Sequence, residues 1–295
     1  MKKNNFLGAV FLALAASIWG SMYVVSKYVL NFIPPITLVW SRYAVGFIVL
    51  FIILKLVQRK SNKTPVPITK RDWLLIIWIG FIGYFISITL QFAGTKLSDA
   101  HTASLITSAT PAFIVVFAYF VLKEKFTLSK IIALILSTLG VVVIVGWNIQ
   151  VGSYFLGSIT LIGAALTWAL LTVYAKLASN SQSSLVITTY GIMFALIFTT
   201  PLMLWEIRTS SIFIGSKLII LGVIYLGTVS TAGAFFLWNK GMELMDAGIG
   251  SILFFLQPLV GSFLGWLLLN EHLTLNFFIG GAFILIGVFM ATVKN

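Results

Sequence analysis

The chain contains no cysteine. It therefore has no disulfide frame, no thiolate nucleophile and no Cys-ligated metal site. Charge is nearly as scarce: Asp, Glu, Lys and Arg make up 9% of its 295 residues, against about 25% in soluble globular proteins. With 60% hydrophobic residues and a mean hydropathy of +1.07, composition alone places it among membrane proteins. Its two histidines, His101 and His272, lie far apart and lack metal-ligand spacing. HExxH, GxSxG and P-loop patterns are missing, and no predicted span holds a carboxylate pair. No enzyme constellation, metal site or cofactor is expected, and nothing marks an ATP-driven pump. The net charge of +12 raises nucleic acid as a partner. The basic residues, however, cluster between apolar segments, where membrane topology already accounts for them. No nucleic-acid partner is expected.

What is present is a duplication. The stretch from Asp99 to Val142 aligns without a gap on Met245 to Phe289, from its second residue onward. Asp99 meets Asp246, Ser104 meets Ser251, Pro111 meets Pro258, Glu124 meets Glu271 and Gly140 meets Gly287. Each copy reads as an Asp cap, an apolar helix with a Pro midway, an acidic turn and a second apolar helix. Neither shows the polar face of a soluble amphipathic helix. The match extends upstream, where Ala15–Ala16 and Trp19 align with Ala164–Ala165 and Trp168, and Lys27 with Lys176.

Ten apolar spans are predicted near 6–26, 35–57, 71–94, 99–122, 128–147, 154–176, 184–205, 215–239, 246–269 and 275–293. The first resembles a signal peptide but runs on to about twenty residues, enough to cross a bilayer uncleaved. Pro34–Pro35 opens the second, Thr69 and Asp72 form a capping box for the third, and Asp99 and Asp246 cap the fourth and ninth. The expected fold is all-α, with ten transmembrane helices in two five-helix repeats, 1–147 and 154–295. An odd number of spans per repeat inverts the second copy. Loop charges agree: Lys55, Arg59, Lys60, Lys63, Lys70 and Arg71 follow span 2, but only Arg208 and Lys217 follow span 7. Positive loops stay inside, so both termini are expected in the cytoplasm of a bacterial cell (plasma or inner) membrane. Inverted repeats are a recurrent build of secondary transporters, whose site lies near the midplane.

The run from Ala15 to Lys27 (AASIWGS…SK), the paired D-A…P…E-x-x-T-L segments and the ten spans resemble the drug/metabolite transporter superfamily, and within it the EamA-type permeases. The likeness covers nearly the whole chain. It implies a carrier of small metabolites, often an exporter of amino acids, working by alternating access. A facilitator or flippase for another polar metabolite is the alternative within transport, and a non-transporting membrane scaffold the alternative outside it. The expected partners are a small-molecule substrate and the lipid bilayer.

The candidate site residues follow from depth and spacing. Arg42 lies seven residues into span 2, ~10 Å deep at 1.5 Å per residue, where an arginine is costly unless it meets a cavity or a partner. Backbone carbonyls, snorkelling and a substrate carboxylate are its options. On span 3, Tyr84, Ser87 and Gln91 share one face, and on span 4 His101, Ser104 and Ser108 do the same. Trp238 and Gln257 face them from spans 8 and 9. Any one hydroxyl could be mere packing, but four such faces suggest a wet, aromatic-walled cavity. Pro111 and Pro258, at matched mid-helix sites, are candidate hinges or static kinks. All seven acids sit at predicted span ends, so transport should not depend on a titrating acid. His101 is the only acid–base candidate near the path, unless it simply faces water. Lys27 and Lys176, at span ends, are expected to snorkel.

Overall fold

The computed structural model describes residues 3–60, 66–97, 106–145, 153–210, 215–269 and 275–293. Asp99, His101, Ser104, Glu271 and His272 lie outside these residues, so the expectations placed on them do too.

Ten helices are found among the described residues. They are α1 (Lys3–Val29), α2 (Pro35–Lys60), α3 (Lys70–Leu97), α4 (Thr110–Leu122), α5 (Leu128–Val145), α6 (Ser153–Ala178), α7 (Ser184–Thr209), α8 (Lys217–Leu244), α9 (247–269) and α10 (Leu275–Val293). α1, α2, α3, α6, α7 and α8 are long and apolar enough to cross a bilayer, and the other four are shorter apolar helices. Their outward faces carry residues such as Ile52, Phe120, Phe155 and Phe289, as lipid requires, while their backbones satisfy themselves internally.

The caps form as the sequence predicts. Thr69 accepts from the Asp72 backbone N–H at 3.2 Å, and the Asp72 carboxylate accepts from Thr69 N–H at 2.9 Å. Asp246 accepts from Ile249 N–H at 3.0 Å. At the head of α2, Glu206 accepts the N–H groups of Ile36 and Thr37 at 3.2 and 2.6 Å. Helix α7 continues to Thr209, past the expected end at 205, so Glu206 lies within its last turn.

Packing follows the inverted duplication. α1 packs on α8 and α9 as α6 packs on α3 and α4, and α2 meets α8 as α7 meets α3. α2 with α7, α4 with α9 and α5 with α10 pair across the pseudo-two-fold. Glycines permit the closest approaches. A Cβ on Gly80 would lie 2.8 Å from Gly191 O, and one on Gly227 would lie 3.1 Å from Arg42 O.

Both α3 and α8 contain a π-helical stretch that the expected regular spans lacked, Ile79–Ser87 and Leu226–Gly233. They fall at matched positions of the two repeats. A π turn widens the helix and releases carbonyls from the regular ladder. Tyr84 O, within the first of these stretches, accepts the Tyr43 hydroxyl at 2.5 Å.

Candidate functional site

At mid-depth, between α1, α2, α3, α4, α6, α8 and α9, lies a small cavity of about 30 Å³. That is room for about two waters, so a metabolite-sized solute needs the surrounding helices to part. One wall is polar, with Arg42, Ser87, Gln91, Thr107, Thr110 and Gln257. The other is aromatic: Trp19, Trp168, Phe235 and Phe254. Trp19 meets Trp168 edge-on at 5.3 Å between centroids, with Phe235 at 5.7 Å and Phe254 at 5.9 Å. These contacts lock the rings, so the aromatic wall is preformed.

Arg42 is fully buried. Its Nε donates to Thr231 Oγ1 at 2.7 Å, Nη2 to Ser230 Oγ at 3.2 Å and Nη1 to Met22 Sδ at 3.2 Å. Phe92 and Phe235 flank the guanidinium at 5.9 and 5.8 Å. Thr231 is itself oriented by donating to Leu226 O at 2.7 Å, five residues back in the π turn. No carboxylate pairs with Arg42 among the described residues. Of the sequence's options for this arginine, snorkelling does not fit a group buried in the centre.

The sequence-predicted set divides. Arg42, Ser87, Gln91 and Gln257 line the cavity. Ser87 is held by donating to Ala164 O at 2.8 Å. Tyr84, Ser108 and Trp238 are buried but absent from its lining. Tyr84 stacks on Phe235 at 4.9 Å and its hydroxyl accepts from Asn239 at 2.8 Å. Trp238 stands behind Trp19 at 5.3 Å and donates to Thr172 at 3.2 Å. Tyr84 and Trp238 thus stand against the lining residues Phe235 and Trp19.

Pro111 and Pro258 are not inside regular helix, which corrects the mid-helix expectation. The helix Thr110–Leu122 starts one residue before Pro111, after a turn in which Ala109 N–H bonds Ile106 O at 3.0 Å. Pro258 falls in the first turn of Leu256–Leu269, just after a 3₁₀ turn at Leu253–Phe255. A proline near a helix start forfeits little, because those N–H groups lack intrahelical partners anyway. Span 9 is interrupted only by that 3₁₀ turn, whereas the turn before Thr110 puts the N-terminus of α4 at the cavity, where Thr110 lines it.

A second cluster was not foreseen. Lys176, expected to snorkel, instead pairs with Glu124 at 3.7 Å and donates to Met242 O at 3.0 Å. Lys130 bridges Asp246 at 2.7 Å and Glu124 at 3.6 Å. The Glu124 carboxylate also accepts the N–H groups of Ala247 and Gly248, at 2.8 and 3.0 Å, capping α9 from the α4–α5 turn. Desolvation, with the nearby Asp246 carboxyl, pushes Glu124 above its ordinary value. Desolvation also pushes Asp246 upward, but bonds with Glu124 and Lys130 hold it below. Lys176 lies eight positions beyond Trp168, ~12 Å along α6, so the cluster ties the helices together below the cavity. Among the described residues no group of three His, Cys, Asp or Glu side chains could hold a metal ion.

A profile of the EamA-like transporter family matches residues 6–146 and again 155–293. The chain belongs to that family. It is 29% identical to the uncharacterized transporter YetK of Bacillus subtilis, covering 99% of this chain and 89% of that protein. It is 25% identical to the S-adenosylmethionine/S-adenosylhomocysteine transporter of Chlamydia trachomatis, covering 95% and 87%. A solved crystal structure superposes with a TM-score of 0.83 over 98% of this chain and 99% of that one, at 19% identity. The protein is a multi-pass membrane transporter of the drug/metabolite transporter superfamily.

The residues missed from sequence left a signal. Trp19 and Trp168 were already aligned by the repeat, and two tryptophans at one matched mid-span position mark the axis between the halves. Nothing comparable announced Ser230, because its role depends on which helix α2 happens to meet, whereas Thr231 shares its face of span 8 with Phe235 and Trp238 and was legible there.

Proposed function

We propose that this chain is a secondary carrier of small zwitterionic or neutral metabolites, amino acids first, acting by alternating access as an exporter or exchanger. The moving halves are 1–147 and 154–295, in a bacterial cell membrane with both termini in the cytoplasm. The observation that supports this reading is the mid-depth cavity between the halves, polar on one wall and aromatic on the other. A scaffold would need only an apolar seam there. Gln91 and Gln257 each offer both donor and acceptor groups, which suits a solute with amino and carboxyl groups. Ser87, Thr110 and Arg42 complete the polar wall, and the aromatic wall covers the solute's side chain. The breaks before Pro111 and at Pro258 are the positions where α4 and α9 bend between states, and His101, outside the described residues, is the remaining gate candidate. A relative named for S-adenosylmethionine, itself an α-amino acid, is consistent with this solute class.

The test is counterflow in proteoliposomes with labelled amino acids and S-adenosylmethionine. Exchange of at least one, saturable and weakened by Gln91→Ala, is expected. Empty-liposome rates for the whole panel would remove the carrier reading.

A further inference from the structure

We infer that Arg42 is an anion subsite: the transported solute must carry a carboxylate or comparable anionic group, and that group docks at the guanidinium. This rests on the reading of the cavity as the transport site and narrows it, since a neutral solute would then be excluded. Three observations converge. First, Arg42 is fully buried at the cavity with two hydroxyls and a thioether as its polar partners, and no acid pairs with it among the described residues. A buried cation held only by neutral groups has an unmet need for negative charge. Second, helix α4, beginning at Thr110, points its positive end at the same cavity. Third, Trp168 Nε1, in the same lining and 7% exposed, has no hydrogen-bond partner among the described residues. A buried donor is normally satisfied, and an anion bound between Arg42 and Trp168 would satisfy both. The hydroxyls of Ser230 and Thr231 aim the guanidinium fork without neutralising it, which leaves its charge for the solute.

The test uses the purified full chain in detergent, read by the fluorescence of its own tryptophans, since Trp19 and Trp168 ring the cavity, and by melting temperature. The probes are phenylacetate, L-phenylalanine, L-phenylalaninamide and 2-phenylethylamine, plus 3-phosphoglycerate as a second anion chemistry. At least one of the three anionic-group probes is expected to quench fluorescence and raise the melting temperature, with the amide and amine inert. Arg42→Gln should weaken that response on the order of a hundredfold, and Arg42→Lys nearly as much, because an ammonium lacks the planar fork. Arg42→Met should melt near the wild-type temperature, since no acid is stranded. An equal response to amide and acid, no response to any anion, or an undiminished response in Arg42→Gln would overturn the subsite. If both neutral variants fail to fold, the wild-type probe series alone decides. Failure of the carrier reading looks different. A chain that binds the anions but exchanges nothing in liposomes keeps the subsite, and one that exchanges neutral solutes equally well as Arg42→Gln keeps the carrier and loses the subsite.

Discussion

The two halves of this transporter share a scaffold and differ in chemistry at the same positions. Gly227 of α8 packs against the Arg42 carbonyl just as Gly80 of α3 packs against that of Gly191, so Arg42 and Gly191 are counterparts. Their neighbours are counterparts too: Thr231 receives the Arg42 guanidinium, while Tyr84 fills the space over Gly191, its ring 2.9 Å from where a Cβ would stand. Trp19 and Trp168 are counterparts as well, yet Trp19 Nε1 donates to Ser230 O at 3.1 Å and Trp168 Nε1 has no partner among the described residues. Duplication thus supplies the helices, the π turns and the interrupted spans, which must match for the halves to interdigitate. The solute sees only one copy of each group, so selection for binding had no reason to keep them matched. The polar wall comes mainly from the first half and the aromatic wall mainly from the second.

If the scaffold is what symmetry preserves, breaking it on either side should have the same and the largest effect. Gly80→Leu and Gly227→Leu should each lose the folded protein. Gly80 has 2.8 Å of clearance to backbone and Gly227 has 2.5 Å to Val45 Cβ, and overpacking costs ~1–3 kcal/mol even where neighbours can shift. Monodisperse yield after extraction is the measurement. Tolerance of one substitution and not the other would show that the halves carry unequal loads.

The binding comparison comes next in size. Gln91→Ala and Gln257→Ala remove cavity-lining amides from opposite halves. Each should weaken solute affinity between several-fold and ~100-fold, since a neutral hydrogen bond contributes ~0.5–1.5 kcal/mol and a stranded partner costs more. Ser108→Ala, Trp238→Phe and Tyr84→Phe, outside the lining, should stay within ~3-fold, read as counterflow Km against yield. An equally strong effect from this second group would mean that the cavity opens to them.

That contrast marks how far the residues could be read unaided. Helix number, inversion and caps were legible because each rests on local chemistry: apolar length, loop lysines, an Asp or Thr before a helix. Arg42, Ser87, Gln91 and Gln257 were legible because a polar group deep in a span has few other reasons to be there. Which face of α3 and α8 is innermost was not, since the π turns rotate everything downstream of them. Gly80 with Gly83, and Gly227 with Gly233, mark where such turns are tolerated, but glycine alone does not name the turn. The ion cluster was hidden for another reason. Glu124, Lys130, Lys176 and Asp246 are ordinary span-end charges until α4, α5, α6 and α9 converge.

The cluster offers a third contrast, between the two mouths of the cavity. It ties α9 to the α4–α5 turn and α6 on the side that the loop lysines assign to the cytoplasm, so it should hold that mouth shut. Because the chain lacks cysteine, Ser87→Cys is a single reporter in the cavity. Lys176→Met or Glu124→Ala should speed its modification by an impermeant thiol reagent from the cytoplasmic side by ~10-fold, equivalent to ~1.4 kcal/mol of lost closure. Sidedness is set with Lys60→Cys and Ser210→Cys, which should label only from inside and only from outside. Labelling of both from one face would undo the inverted topology, and unchanged Ser87→Cys rates would remove the cluster from gating.

The smallest expected effect is on pH. The Glu124 carboxyl faces Lys130 from α5, Lys176 from α6 and Asp246 at the head of α9. In the closed arrangement burial and Asp246 hold it above its ordinary value, whereas an open mouth returns it to water. The closed state therefore binds a proton more readily there. That stabilisation is complete below the ordinary glutamate value near ~4.3 and is lost as pH rises through the raised one. Asp246, held low, acts oppositely: its contribution is present above ~3.9 and fades as pH falls through its depressed value. Closure is thus firmest in mild acid. Cytoplasmic-side labelling of Ser87→Cys, normalised at each pH to the exposed Lys60→Cys, should rise ~2- to 3-fold from mild acid to neutrality, short of the tenfold that ~1.4 kcal/mol would produce. Glu124→Gln should flatten the profile. A rise toward acid instead would mean that the lysines and the two α9 N–H groups outweigh burial, leaving Glu124 low and the latch purely ionic.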